Sequence, residues 1–247
     1  MPFKDHFSTH SAAYADFRPG YPAELFEYLA AIAPARRAAW DCGTGNGQAA
    51  LGLAPHFERV IATDASSEQL RSAFAHPRIS YHVAPAERSG IDSHSVDLIT
   101  VAQALHWMDL DRFYAEVRRV LRPNGVLAAW CYDVVRVTPE IDAVVDSFYQ
   151  ETVGVYWPPE RTLVEDHYRS IHFPFRELSA PTYAIELRWT LWHLLGFLRT
   201  WSATRKFIQQ QGFDPVDAVG ESLRQWWPDP DESRTVRWPL YMRVGRA

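Results

Sequence analysis

Trp40-Asp41-Cys42-Gly43-Thr44-Gly45-Asn46-Gly47, followed by Val60-Ile61-Ala62-Thr63-Asp64, decides how this chain folds. Ala38 to Cys42 reads as a short strand, and the three alternate glycines after it let the backbone turn sharply and approach a ligand closely. Ala49, Ala50, Leu53, Ala54 and Phe57 then recur on one helical face, and Val60 to Thr63 forms the next strand. Asp64 lies 21 residues after Gly43, at the end of that second strand, where a carboxylate can accept hydrogen bonds from two ribose hydroxyls. Strand, glycine turn, helix, strand and acid predict a nucleoside site at the first turn of an α/β fold. The pattern is Gly-x-Gly-x-Gly, with Gln48 where a dinucleotide fingerprint needs its third glycine, which disfavours a nicotinamide dinucleotide.

Outward from this turn, the same alternation continues. Pro22 opens a helix with Leu25, Phe26, Leu29 and Ile32 on one face, and Pro34 stops it. Ser67 caps a helix to Phe74, Ile79 to Val83 is a third strand, and Val96 to Val101 is a fourth, buried on both faces. Asp109 or Asp111 caps an amphipathic helix with Phe113, Val117, Val120 and Leu121. The turn Pro123-Asn124-Gly125 leads into a fifth strand, Val126 to Tyr132. This order demands a parallel sheet covered by helices on both faces, with ligands at the carboxyl ends of its strands. The pattern loosens between Thr138 and Thr182, where Trp157-Pro158-Pro159 breaks a helix, and this stretch reads as an inserted cap. Tyr183 to Trp189 is a strand, Leu191 to Gln211 a long helix, Pro215 to Trp227 another, and Val236 to Val244 a closing strand.

A length of 247 residues suits one domain carrying an insertion. The expected division is an N-terminal cap segment over about 1–34, a cofactor-binding core over about 35–137, an inserted substrate cap over about 138–182, and C-terminal strands and helices over 183–247. The net charge of −5 comes from interspersed acids and bases, which argues against a nucleic-acid partner. Cys42 and Cys131 read as core thiols rather than a disulfide framework or a zinc site. Without an apolar run of membrane length, a cytoplasmic protein with no membrane partner is expected, as monomer or homodimer. Ten Trp exceed what packing usually calls for, so Trp107, Tyr132, Trp157 and Trp201 are candidates to wall an apolar ligand pocket.

Ala39 to Ala50 with Asp64 resemble the first two motifs of the class I S-adenosylmethionine-dependent methyltransferases. Ala84-Pro85-Ala86-Glu87 resembles a third, Asp97 to Trp107 a fourth, and Leu121-Arg122-Pro123-Asn124-Gly125 is similar to the family's turn into its fifth strand. Tyr14, Arg18-Pro19, Tyr21-Pro22, Trp189-Thr190 and Thr200-Trp201-Ser202 extend the resemblance to the type 11 branch that contains trans-aconitate methyltransferase. The resemblance implies a Rossmann-like three-layer sandwich with a seven-stranded, mostly parallel sheet, its last strand antiparallel, plus a helical cap. It implies S-adenosylmethionine as cofactor. Gly43, Thr44, Gly45 and Gly47 would pass close to its methionine part, Asp64 would hold the ribose, and Ala86 with Glu87 would meet the adenine edge. Gln103 would bring its backbone to the methionyl amine, and Tyr14 and Arg18 would complete the site, Arg18 by pairing with the methionyl carboxylate. Gln69-Leu70 stands where the family has Met-Leu, and Ser89-Gly90 where it has Leu-Pro.

His106 and Trp107 are the candidate catalytic, substrate-facing pair. Methyl transfer from a sulfonium needs aligned, desolvated reactants, so a carboxylate acceptor needs no base, whereas a phenol or amine could pass its proton to His106. The expected activity is methylation of a small molecule, first of all at a carboxylate oxygen, with Arg188, Arg199 and Arg205 as candidates to hold an acid. The alternatives are a catalytically silent cofactor-binding or interaction module and a nicotinamide-dependent oxidoreductase. The chain lacks His-Glu-x-x-His, Cys-x-x-Cys and a serine nucleophile elbow, so neither metal nor acyl-enzyme chemistry is expected.

Overall fold

A computed structural model describes residues 20–247. Helix α1 (Ala23–Ile32) precedes β1 (Ala38–Cys42), α2 (Gln48–Leu53), β2 (Arg59–Asp64), α3 (Ser67–Arg71), β3 (Ile79–Val83), β4 (Val96–Ala102), α4 (Leu110–Val120) and β5 (Leu121–Tyr132). After these come α5 (Pro139–Ser147), α6 (Arg161–Glu165), β6 (Arg176–Leu178), β7 (Tyr183–Trp189), α7 (Leu191–Arg199), α8 (Ser202–Gln211), α9 (Val216–Leu223) and β8 (Arg234–Arg246).

The strands form one sheet in the order β3-β2-β1-β4-β5-β8, with β6 and β7 both on the far edge of β8. Strands β1 to β5 pair in parallel, and β8 runs antiparallel to β5, β6 and β7. The Rossmann-like three-layer architecture and its reversed last strand are therefore as expected, but the sheet has eight strands among the described residues rather than seven. Leu178 pairs with Val244 and Tyr183 with Leu240, so β6 and β7 share one edge position, interrupted at residues 179–182. Pro181, which has no N–H to give to a ladder, lies in that interruption. Part of the stretch expected as an inserted cap thus joins the sheet.

Burial on both sheet faces explains the apolar composition of the central strands. All five residues of β1 are buried. Ala39 belongs to the core beneath α1, α2, α5, α7 and α9, while Trp40 and Cys42 belong to the core beneath α4 and α6. At the N-terminal ends of these strands the fully buried Asp97 accepts from Arg37 N and Ala38 N and pairs with Arg122 at 3.0 Å, tying β4 to the start of β1. This carboxylate lies in the fourth motif by sequence, but it is a structural clamp at the opposite end of β4 from Ala102.

Several boundaries differ from the sequence reading for identifiable reasons. Ser66, one residue before the expected cap, accepts from Gln69 N at 3.4 Å. Asp109, rather than Asp111, caps α4. Strand β5 begins at Leu121, before the Pro123-Asn124-Gly125 bulge, because Leu121 already pairs with Val96. The expected long helix over 191–211 is two, α7 and α8: Thr200 Oγ1 donates back to Phe197 O at 2.6 Å and Trp201 takes an extended backbone, which buries its ring.

Candidate functional site

At the carboxyl end of β1, Gly43, Gly45 and Gly47 all take left-handed φ values of 68°, 57° and 90°, a region that side chains disfavour. A Cβ at Gly43 would lie 2.7 Å from Ala104 Cβ, and one at Gly47 would collide with the Tyr81 hydroxyl. The turn therefore depends on glycine both for its conformation and for the close approach of the β4 and β3 ends. Thr44 N donates to Thr63 O at 3.0 Å and Gly47 N to Thr44 O at 2.9 Å, closing the loop against β2.

Asp41, within the opening motif but assigned no role from sequence, organises this loop from below. It is fully buried and accepts from Thr44 Oγ1 at 2.5 Å and Thr100 Oγ1 at 2.7 Å. Burial pushes its carboxyl up to about 6, against the pull of those two hydroxyls. An acid in the middle of a wholly buried strand was the available sequence signal.

Asp64 lies at the end of β2, where Oδ2 accepts from Gly45 N and Oδ1 from Ser66 N, each at 2.8 Å. Its carboxylate thus touches the glycine loop itself. Gln69, the departure from Met-Leu, is buried, with Oε1 3.9 Å from where a Cβ on Gly45 would stand. Ala86 and Glu87 sit on the loop after β3, both half-buried. Glu87 Oε1 accepts from Asp109 N at 2.9 Å. The second departure has a structural purpose: Ser89 donates through N and Oγ to Glu116 on α4, at 2.8 and 2.6 Å, and Gly90 takes φ 73°. Glu116, held also by Arg119, has its carboxyl lowered to about 2, chiefly by that guanidinium.

At the end of β4, Gln103 has φ 54°, a left-handed value unusual outside glycine. Its N–H donates to Trp130 O at 2.8 Å, and its side-chain oxygen accepts from Tyr132 N at 2.7 Å. The Gln103 side chain thus braces β5. His106 and Trp107 follow in a short 3-10 turn, their rings 4.6 Å apart. His106 is buried, with Nδ1 2.9 Å from the Tyr168 hydroxyl. Burial first, and the charge of Arg161 second, lower its pKa to about 3, so its imidazole is neutral. Tyr168 is itself fully buried and holds φ 60° directly after His167 at φ 57°.

Above these strand ends lies an aromatic roof. Trp157 and Trp201 meet with ring centroids 5.7 Å apart, and Tyr149 packs 5.0 Å from the first and 5.6 Å from the second. Two of the four candidate wall aromatics therefore come together, joined by a Tyr that sequence reasoning did not single out. Tyr132 is buried and Trp107 half-buried at the strand ends. Of the three candidate arginines, Arg188 and Arg199 are engaged elsewhere, and Arg205 lies one turn after Trp201 on α8. Arg199 is bound to Asp214 and Asp217 at 2.5 and 2.7 Å, Arg205 donates to Thr200 O at 3.0 Å, and the exposed Arg188 is bound to Ser233 O and Thr235. Helix ends and the β7–β8 pairing recruit these charges, which periodicity alone did not reveal. Tyr14 and Arg18 lie outside the described residues.

These observations fit a sulfonium nucleoside. At Gly45 a Cβ would meet nothing nearer than 3.9 Å, so space is open beside the loop, an acid stands at the β2 end and another on the loop after β3, and the buried Asn46 Nδ2 has no hydrogen-bond partner among the described residues. Residues 40–129 match the Methyltransf_11 family model, described as a methyltransferase domain. A Dictyostelium discoideum protein named as a methyltransferase is 35% identical over 99% of this chain and 95% of its own length. The chain belongs to the S-adenosylmethionine-dependent methyltransferases. A Saccharomyces cerevisiae protein named as an S-adenosylmethionine-dependent methyltransferase is 34% identical, over 60% of this chain and 50% of its own. A solved Anaeromyxobacter dehalogenans structure, named as a type II methyltransferase, is 51% identical and superposes with a TM-score of 0.88 over 93% of this methyltransferase and 98% of that chain. The family sets aside the nicotinamide and silent-module alternatives. Cys42 and Cys131 are free and buried. Among the described residues no helix is long and apolar enough to cross a membrane, and no three His, Cys, Asp or Glu side chains are grouped to hold a metal.

Proposed function

We propose that this methyltransferase methylates a carboxylate oxygen of a small acid, in keeping with the trans-aconitate branch that its sequence resembles. The observation that carries the reading is the state of His106: buried, bonded to Tyr168 and lowered to about 3, it is a poor acceptor for a phenol or ammonium proton. A carboxylate arrives already deprotonated and needs no such acceptor. In this reading Gly43, Thr44, Gly45 and Gly47 cradle the methionine part of the cofactor, with Gln103, Tyr14 and Arg18 at its amino and carboxylate groups. Asp64 holds the ribose, and Ala86 and Glu87 read the adenine. When bound, S-adenosylmethionine would supply an electrophilic methyl group, for which a carboxylate oxygen is already an anionic nucleophile. His106 and Trp107 orient the acceptor and exclude water, so that the nucleophile meets the methyl group desolvated.

The test is a screen of small carboxylic acids, phenols and amines for S-adenosylhomocysteine formation, followed by a pH profile on the best acceptor. Turnover with an acid should be flat between about pH 6 and 9, where a carboxylate is fully ionised. His106→Asn should reduce it by about tenfold or less, below the roughly 100- to 10,000-fold that general-base catalysis contributes. Turnover with a phenol or amine but no acid, or a steep rise with pH, would overturn the reading.

A further inference from the structure

We propose that Arg161 is the specificity anchor of the acceptor site, a guanidinium clamp for an anionic group of the substrate. The inference rests on the acid reading above and assigns the charge recognition to one residue.

Arg161 opens α6 and is half-buried under the aromatic roof. Its guanidinium carbon lies 4.8 Å from the centroid of Trp157 and 5.4 Å from that of Tyr149. Nε donates to the Tyr149 hydroxyl at 2.7 Å, and that hydroxyl donates in turn to Glu165 Oε1 at 2.6 Å. One edge of the guanidinium is thus fixed and its plane is held by two rings. Its Nη1 and Nη2 groups have no hydrogen-bond partner, and no carboxylate lies within ion-pair distance of it, among the described residues. By contrast, Arg119, Arg122, Arg136, Arg199 and Arg243 each pair with an acid.

Placement makes this arrangement functional rather than structural. Arg161 lies near enough to His106, just after β4, and to Cys131, near the end of β5, for its charge to bear on both, and on Tyr168, which bonds to His106. Helix α6 is close above them, since Cys131 Sγ lies 3.9 Å from Val164 O. A half-buried cation with unused paired donors, held against aromatics near the ends of β4 and β5, matches a carboxylate, which accepts two parallel N–H bonds from such a fork. The aromatic faces beside it suit an apolar or unsaturated acid skeleton.

The experiment uses the full chain saturated with S-adenosylhomocysteine. Trans-aconitate, succinate and benzoate are titrated against tryptophan fluorescence, with benzamide as the uncharged control, and the same acids are offered with S-adenosylmethionine as acceptors. Arg161→Gln should weaken binding of the acids that the wild type holds by roughly 10- to 100-fold, the worth of a charge-assisted pair. Its S-adenosylhomocysteine affinity and its weak response to benzamide should stay unchanged, and Arg161→Lys should recover part of the loss. In turnover the loss should appear as a raised KM for the acid at an unchanged KM for S-adenosylmethionine. Equal acid binding by wild type and Arg161→Gln overturns the anchor, and equal methyl ester formation by both does so while leaving the acid reading intact. Arg161-dependent binding without ester formation upholds the anchor and defeats the acid reading. Neither binding nor ester formation with any of the three acids by the wild type defeats both.

Discussion

The floor and the roof of this site are built on opposite plans. The floor is local: Asp64 ends β2, while Gly43 to Gly47, Glu87 and Gln103 follow within five residues of β1, β3 and β4, and backbone geometry places them. The roof is assembled from Tyr149, Trp157, Arg161, Tyr168 and Trp201, side chains from a π-turn, two loops, a short helix and a helix break, brought together only by packing. In the proposed reading, recognition of the cofactor is tied to the part of the fold that β1 to β4 constrain. In that same reading, recognition of the acceptor is left to side chains that the sheet does not fix, which is where a common scaffold can change substrate.

The sharpest way to break this contrast is to damage the floor while sparing the roof. Gly43→Val puts a branched side chain on a left-handed backbone and drives it into Ala104. It should cost roughly 3–5 kcal/mol in stability and cofactor binding together, seen in urea unfolding and in calorimetric titration with S-adenosylhomocysteine. If affinity and stability both survive, the cradle is not what the floor depends on.

A smaller effect is expected from Asp64→Ala, which removes the acceptor for Gly45 N and Ser66 N as well as the proposed ribose contact. Cofactor affinity should fall by about 1–3 kcal/mol, with Asp64→Asn intermediate. A mutant that melts like the wild type and binds as tightly would exclude the ribose role. Compared with Arg161→Gln, which should leave the cofactor untouched, these two variants separate floor from roof.

The smallest effect concerns the support beneath the loop after β3. Glu116, lowered to about 2 by Arg119 and Ser89, favours the folded state at pH values above its ordinary range near 4.5, and that contribution fades as pH falls towards 2. Arg119 is 40% exposed, so solvent screening reduces the worth of the pair to about 1 kcal/mol. Urea unfolding of wild type and Glu116→Gln should differ by about that amount at pH 6 and converge only as pH approaches 2. A constant difference would show that the pair does not couple the loop to α4.

Legibility from sequence follows the same division. Strands β1 to β4 were readable within two residues at each end, because β1 and β4, buried on both faces, leave mostly apolar runs between turn residues, while the edge strand β3 alternates. The glycine turn and Asp64 were readable because their spacing along one chain segment is their geometry. The extra edge strand was not, since three residues interrupted near Pro181 carry no periodic signal. Nor was the break at Thr200-Trp201, where burying an indole outweighed helical continuity. The arginines misled for a related reason: Arg199 and Arg161 are alike in composition, and only their neighbours, two aspartates against two aromatic rings, separate an ion pair from an open clamp.

By itself, then, the amino-acid sequence determined the α/β architecture, the methyltransferase family and the cofactor floor, since each depends on contacts between residues near in sequence or on backbone conformations that glycine alone adopts readily. The tertiary structure alone decided that His106 is neutral against Tyr168, that Asp41 braces the loop from within, and that Arg161 rather than Arg188, Arg199 or Arg205 stands over the strand ends. Burial and charge at those positions come from partners up to 62 residues away in sequence, and desolvation is a property of the assembled surroundings, not of any segment.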